Sequence, residues 1–222
     1  MVTAAVLPIK TYARAKHRLS AAVEVPDRRA LAEAMVGDVL DALPLVPGLA
    51  RVIAVTAEPR AAAAAREAGA DVVDDPDEAG QSAAALIGIA AALRLGAERV
   101  LLVPGDCPAL DPAEVGAMLE RQGRAGVVIV PDRHGAGTNA LLLSPPDVIE
   151  PSFGPGSFAR HAARAHAAGT VVRVAEVRSL GLDVDTPEDL QALREALEAR
   201  PGAAPRTRAL LARMLPAAAA AG

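Results

Sequence analysis

The sequence predicts an α/β fold built on a largely parallel sheet covered on both faces. Short β-branched runs alternate from end to end with longer, alanine-rich segments of helical periodicity. Apolar residues make up 52% of the chain and aromatics 1%, so the core has to be assembled from Val, Leu, Ile and Ala. In a chain of 222 residues this pattern runs on without a break, which predicts one domain over residues 1–200.

Strands are expected at residues 2–7, 51–55, 71–73, 100–103, 127–130, 140–143 and 171–174, with helices between them. The first helix should start near Pro26 and Asp27, where proline suits the first turn and a carboxylate favours the positive helix end; Leu31, Met35 and Val39 mark one face. Asp111-Pro112-Ala113-Glu114 reads as another start, with Asp111 as cap and Glu114 at the capping-box position. Beyond Ala199 the pattern weakens into a Pro-Gly-Ala run, one short amphipathic piece and an alanine tail. Residues 201–222 are therefore expected to be a C-terminal extension, partly helical, with a mobile end.

Charge and cysteine content exclude several functions. A net charge of -4 opposes a nucleic-acid surface, which rewards dense Lys and Arg, and the scarcity of aromatics removes stacking platforms for single strands. The single cysteine, Cys107, allows neither an intramolecular disulfide nor a Cys-based zinc site and suits a reducing cytoplasm; it reads as a small packing residue. No apolar run reaches the ~18 residues of a membrane span, so a soluble protein with no membrane partner is expected. The histidines at 17, 134, 161 and 166 lack zinc-ligand spacing and are expected in exposed or capping roles.

Three kinds of segment carry chemistry. The connection after the first strand holds Lys10, Arg14, Lys16 and Arg18. Lys10 and Lys16 are the only lysines in a chain that otherwise uses arginine, which suggests a compact ammonium placed among phosphate oxygens; a solvated basic loop is the competing account. No GxxxxGK[ST] pattern is present.

Asp106 leaves a buried-type strand through Pro104-Gly105, and Asp183 and Asp185 alternate in an extended segment before a helix. Residues two apart share a side, so both carboxylates could serve one hard cation such as Mg²⁺. Helix capping by Asp185 or Thr186 competes with that reading. Finally, Gly135-Ala136-Gly137-Thr138-Asn139 and Gly154-Pro155-Gly156-Ser157 expose backbone amides beside the side chains of Thr138, Asn139 and Ser157, a seat for phosphate or carboxylate. A hairpin turn and an ordinary N-cap at Ser157 would explain the same glycines and serine.

Taken in order, Pro8-x-Lys10 with Ala15-Lys16-x-Arg18-Leu19, Gly105-Asp106-x-Pro108-Ala109-Leu110, Gly135-x-Gly137-Thr138-Asn139-Ala140-Leu141, Phe153-Gly154-Pro155-x-Ser157-x-x-Arg160-His161 and Asp183-Val184-Asp185-Thr186-Pro187 closely resemble the guanylyltransferases of coenzyme F420 biosynthesis. Single pieces also resemble molybdenum cofactor nucleotidyltransferases. The resemblance implies a Rossmann-like, glycosyltransferase-A-type mixed sheet and an enzyme that joins GMP from GTP to a phosphorylated three-carbon acid with loss of pyrophosphate. It further implies Asp106, Asp183 and Asp185 as magnesium ligands, and Lys10, Lys16 and Arg18 as the triphosphate loop, with Lys16 also catalytic. Gly80 and Ser82 would touch the nucleotide, although relatives often read Leu-Asn where this chain has Gln81-Ser82.

Thr138, Gly154 and Ser157, with Asn139, would hold the acceptor. Phosphoenolpyruvate is the expected acid for an arginine-heavy, alanine-rich chain of this kind, with 2-phospho-L-lactate and 3-phosphoglycerate as alternatives. A GTP-binding regulator without turnover is the reading of another class. A homodimer, and transfer of a labile product to a following enzyme, complete the partner expectations.

Overall fold

The computed structural model describes residues 1–14, 16, 19–20, 23–122 and 126–214. Seven strands form one sheet: β1 (Thr3–Ile9), β2 (Arg51–Thr56), β3 (Asp71–Val73), β4 (Arg99–Leu102), β5 (Gly126–Pro131), β6 (Thr138–Ser144) and β7 (Val172–Val174). The helices are α1 (Val25–Ala42), α2 (Pro59–Glu67), α3 (Gln81–Arg94), α4 (Pro112–Arg121), α5 (Ser157–Ala167), α6 (Pro187–Ala199) and α7 (Pro205–Met214). Every strand expected from the β-branched runs is present.

The strand order is β3-β2-β1-β4-β6-β5-β7. All neighbours are parallel except those of β6, which runs antiparallel to both β4 and β5. This is the mixed, mostly parallel sheet that the resemblance implies. The reversal matters for the site: the C-terminal ends of β1, β3 and β4 and the N-terminal end of β6 all open on one edge, so residues that follow three strands and residues that begin a fourth meet there.

Strand alternation divides the core. Ala5 and Leu7 of β1 pack with Val36, Val39 and Leu40 of α1 and Met118 and Leu119 of α4 on one face, while Ala4 and Val6 pack with Ala85, Ile89 and Ala92 of α3 on the other. With small side chains in place of aromatics, layers must approach closely. Gly88 of α3 shows how far this goes, since a methyl group there would stand 2.2 Å from Cγ1 of Val6.

A third apolar cluster joins Leu31 and Met35 of α1 to Val184, to Leu190, Leu193 and Leu197 of α6, and to Leu210 and Leu211 of α7. Helix α7 is locked to α1 by a buried carboxylate: Asp38 accepts hydrogen bonds from the backbone N–H of Arg206 (3.0 Å) and Thr207 (2.8 Å). These are first-turn amides that no intrahelical carbonyl can satisfy. The alanine-rich end, 215–222, lies outside the described residues.

Two start signals resolve as expected and one does not. Helix α1 starts at Val25 with Pro26 and Asp27 in its first turn, and Asp111 caps α4 through the Ala113 amide. Glu114, however, does not close a capping box on Asp111; its carboxylate accepts from the backbone N–H of Ser179 (3.0 Å) and ties α4 to the segment leading into the acidic loop. Replacing Asp38→Ala should leave two first-turn amides, that of Thr207 buried, without a partner and cost about 2 kcal/mol of stability by denaturant unfolding, with the far-ultraviolet spectrum retained; an unchanged midpoint would show that water satisfies those amides.

Candidate active site

The first loop is fixed by acids from neighbouring strand exits. Both the backbone N–H and the hydroxyl of Thr11 donate to Glu78 (2.9 and 2.5 Å), which follows β3, and the Tyr12 amide donates to Glu58 (3.1 Å), which follows β2. Lys10 thereby lies exposed at the mouth of a cleft, and Lys16, whose backbone adopts a left-handed φ of 59°, turns its side chain inward. Arg18 lies outside the described residues.

The acidic residues arrive from two directions. The Pro104-Gly105 turn carries Asp106 out of β4, and Asp183-Val184-Asp185 approaches from the other side, its backbone pinned where the Val184 amide donates to the Asp106 carbonyl (3.2 Å). Val184 is fully buried in the α6–α7 cluster, so the two aspartates flank an inward-pointing anchor. Asp189 completes the hold. Its Oδ2 accepts from the amides of Asp185 and Thr186 and from the Thr186 hydroxyl, in a capping box that also starts α6. Its other oxygen pairs with Arg133 at 2.7 Å, and burial of the carboxyl is outweighed by these bonds, so its pKa lies below the usual carboxylate value.

The electrostatics follow from these positions. Lys16 Nζ sits 2.5 Å from Asp106 Oδ2 and 3.3 Å from Asp185 Oδ1. Burial works against its charge, but the two carboxylates prevail and hold the ammonium above the ordinary lysine value. Among the described residues Asp183 has no such cation. Burial and the neighbouring Asp106 push its carboxyl up to about 6 despite a 3.1 Å hydrogen bond from Asn139 Nδ2.

Among the described residues no three carboxylate, imidazole or thiol groups converge as ligands on one point. Lys16 bridges two of the three aspartates instead. The donor chemistry nevertheless fits magnesium: the carboxylates are hard oxygen donors, burial and then the charge of Asp106 disfavour ionisation of Asp183, and a cation is already drawn between Asp106 and Asp185.

From these residues the cleft, about 170 Å³, extends across the end of β1 to the loop after β3. Lys16, Asp106 and Asp185 stand to one side, Asp75, Glu78, Gly80 and Gln81 follow β3 on the other, and Lys10 lies where β1 ends, between walls formed by Ala32, Met35 and Val36 of α1 and Ala84 of α3. Gly80 lines it. Ser82 does not; its hydroxyl oxygen accepts from the Phe153 amide (2.9 Å) and joins α3 to the loop before α5.

Thr138, Gly154 and Ser157 are grouped beyond that link, at the starts of β6 and α5. The carbonyls of Ser152, Phe153, Gly154 and Pro155 all turn toward the Arg160 guanidinium, which organises the loop from inside. Gly156, at a left-handed φ of 69°, is the N-cap of α5, so Ser157 is a buried first-turn residue and not the cap. Asn139 is placed differently from expectation: its amide nitrogen donates to Leu180 O (2.9 Å) and to Asp183, so it positions a carboxylate and has no hydrogen left for an acceptor.

His161 also departs from its expected exposed or capping role. It is fully buried, with Nε2 accepting from the Ser152 amide (2.8 Å) and Nδ1 3.0 Å from the Thr138 hydroxyl. An amide can only donate, so Nε2 is the bare nitrogen and Nδ1–H donates to Thr138, whose own hydrogen is then free to point at a ligand. Burial, then Arg160 and Arg164, lower the imidazole to about 4 and keep it neutral.

Comparison with known proteins places this arrangement. The structure matches one from Desulfovibrio desulfuricans G20, described as a nucleotide-diphospho-sugar transferase, with a TM-score of 0.76 at 18% identity, covering 96% of this chain and 95% of that one. The fold is thus that of the nucleotidyltransferases. Residues 3–195 match the family described as "Guanylyl transferase CofC like", and the chain belongs to it.

A phosphoenolpyruvate guanylyltransferase from Conexibacter woesei is 52% identical, covering 97% of both chains. Another, from Sphaerobacter thermophilus, is 39% identical over 87% of this chain and 93% of its own. The protein is therefore an enzyme, a nucleotidyltransferase. Among the described residues no helix is long and apolar enough to cross a membrane.

Two titrations test these assignments. A carboxyl raised to about 6 holds its proton more tightly in the folded protein, so stability falls as pH climbs from the ordinary aspartate range through 6. Asp183→Asn should therefore stabilise the metal-free protein by roughly 1–2 kcal/mol at pH 8, a gain that shrinks towards pH 4.5 in thermal unfolding. His161 works in the opposite sense: the unfolded chain takes up its proton below about 6.5 and the folded one only near 4, so stability is lost as pH falls between them. In His161→Asn that loss, about 3 kcal/mol at most, should disappear from the pH profile of unfolding.

Proposed function

We propose that the protein transfers GMP from GTP to phosphoenolpyruvate, giving enolpyruvyl-diphospho-5'-guanosine and pyrophosphate, as a step of coenzyme F420 biosynthesis. The observation that carries this reading is the Lys16 ammonium held between Asp106 and Asp185 in a cleft that continues past the end of β1 to the loop after β3. The acceptor is suggested by the relatives that bear that name at up to 52% identity.

Asp106, Asp183 and Asp185 would hold magnesium, which supplies neutralisation of charge on the α-phosphate and the departing pyrophosphate. Lys10 and Lys16 serve the same oxygens from the chain itself. An oxygen of the acceptor phosphate attacks the α-phosphorus, the bond to the bridging oxygen of the β-phosphate breaks, and pyrophosphate leaves with that electron pair. A phosphomonoester with a second pKa of about 6 is already anionic at neutral pH, so no general base is required. This agrees with a cleft lined by no histidine, cysteine or serine among the described residues.

Thr138, fixed by His161, offers its hydroxyl hydrogen to the acceptor acid, and Gly154 and Ser157 offer the first turn of α5. The product is a mixed phosphoanhydride, which suits direct hand-over to a following enzyme.

Incubation with GTP, magnesium and phosphoenolpyruvate, 2-phospho-L-lactate and 3-phosphoglycerate together should yield the enolpyruvyl product by mass spectrometry; another dominant product would reassign the acceptor, and none would remove the reaction. Asp106→Ala should lower kcat by at least about 10²-fold with the fold intact, read as pyrophosphate release.

A further inference from the structure

The far end of the cleft contains a carboxylate that the reaction does not use. The loop after β3 reads Asp74-Asp75-Pro76-Asp77-Glu78, and four acids in five residues would ordinarily all face water. Asp74 and Asp77 do. Asp75 instead is 6% exposed and lines the cleft.

No side chain among the described residues pairs with it; the Glu78 amide bonds to it, and Asp74, Asp77 and Glu78 surround it with like charge. The turn that aims it is specific, with Glu78 at a left-handed φ of 42° and Gly80 at 115° ahead of α3. Burying a carboxylate without a cation is unfavourable unless a ligand brings donors to it.

The cleft defines what that ligand presents. If the triphosphate lies at Lys10 and Lys16, a nucleotide running across β1 sets its base beside Asp75, Glu78 and Gln81, with its faces between the side chains of α1 and α3. A carboxylate accepts two parallel hydrogen bonds from a base edge carrying two adjacent donors. Guanine has that edge, in N1–H and the 2-amino group. Adenine presents an acceptor at N1, cytosine an acceptor at N3, and uracil a single N–H between two carbonyls.

We propose that Asp75 is the guanine-selecting residue, its carboxylate receiving N1–H and N2–H of the base. The inference rests on the guanylyl-transfer reading above for the placement of the triphosphate, and it assigns Asp75 to specificity, with no part in the chemical step.

The test is a base exchange. In Asp75→Asn the side-chain oxygen still accepts from N1–H, but the new amide hydrogens oppose the 2-amino group and match the 2-carbonyl of xanthine. Pyrophosphate release would be measured for the full chain with GTP, ITP and XTP, in wild type and Asp75→Asn, with phosphoenolpyruvate and magnesium present, alongside nucleotide binding by equilibrium titration.

Wild type should use ITP at least 10-fold less well than GTP. The variant should lose at least 10-fold in kcat/KM for GTP, through KM, and gain for XTP until the preference inverts. Unchanged GTP use by the variant would overturn the proposal. So would a loss for GTP without any gain for XTP, which would make Asp75 a turn-holding residue. Should Asp75→Asn fail to fold, equal use of GTP and ITP by wild type would still refute it. Absence of pyrophosphate from wild type, with GTP still bound in preference to ITP, would reject the reaction while supporting the base contact.

Discussion

Repulsion among Asp106, Asp183 and Asp185 is the constraint on which the rest of this structure depends. Three carboxylates at one sheet edge repel one another, and the fold spends much of its polar bonding on holding them there: Asp189 on the backbone of Asp185, Asn139 on the side chain of Asp183, the Val184 amide on the Asp106 carbonyl. Each restraint comes from a different element, so none of the acids can retreat without breaking a bond elsewhere. Lys16 is the chain's own answer to the charge, and it reaches only two of the three. The remaining imbalance at Asp183 is one that a further cation would relieve.

That constraint explains why the sheet is mixed. Parallel strands deliver only the residues that follow them to the open edge, whereas β6, by running backwards, delivers the residues that begin it. Thr138 and Asn139 reach the edge this way, one facing His161 and the other Asp183. One reversal thus couples the acidic group to the loop before α5 through adjacent residues.

Much of this was legible in the residues. The β-branched runs located all seven strands because buried strands in a core without aromatics leave few other places for Val and Ile, and Asp-Pro and Thr-Pro marked the starts of α4 and α6. That Asp106, Asp183 and Asp185 come to one edge of the sheet could be expected from their positions at a strand exit and before a helix. What was not legible were contacts between segments distant in sequence. Nothing local distinguishes Glu58 or Glu78 as supports of the first loop, Glu114 as a ligand of the Ser179 amide, or Asp75 as the one buried acid in an acidic run. Ser82 and Asn139 look like ligand-binding groups in sequence; only the fold shows that their polar atoms are engaged by Phe153, Leu180 and Asp183. His161 had a signal in the Arg-His pair after Ser157, but its burial depends on how α5 meets β6.

Helix α7 packs against Leu31 and Met35 through Leu210 and Leu211, and Met35 also forms part of the cleft wall. The wall therefore has foundations made at different times in translation. A nascent chain carries β1, the first loop and α1 out of the ribosome long before residues 205–214 exist, so the finished cleft can form only after those residues have been made. Until then the apolar face of α1 has no final partner, and it is during this interval that the growing chain is most exposed to premature association.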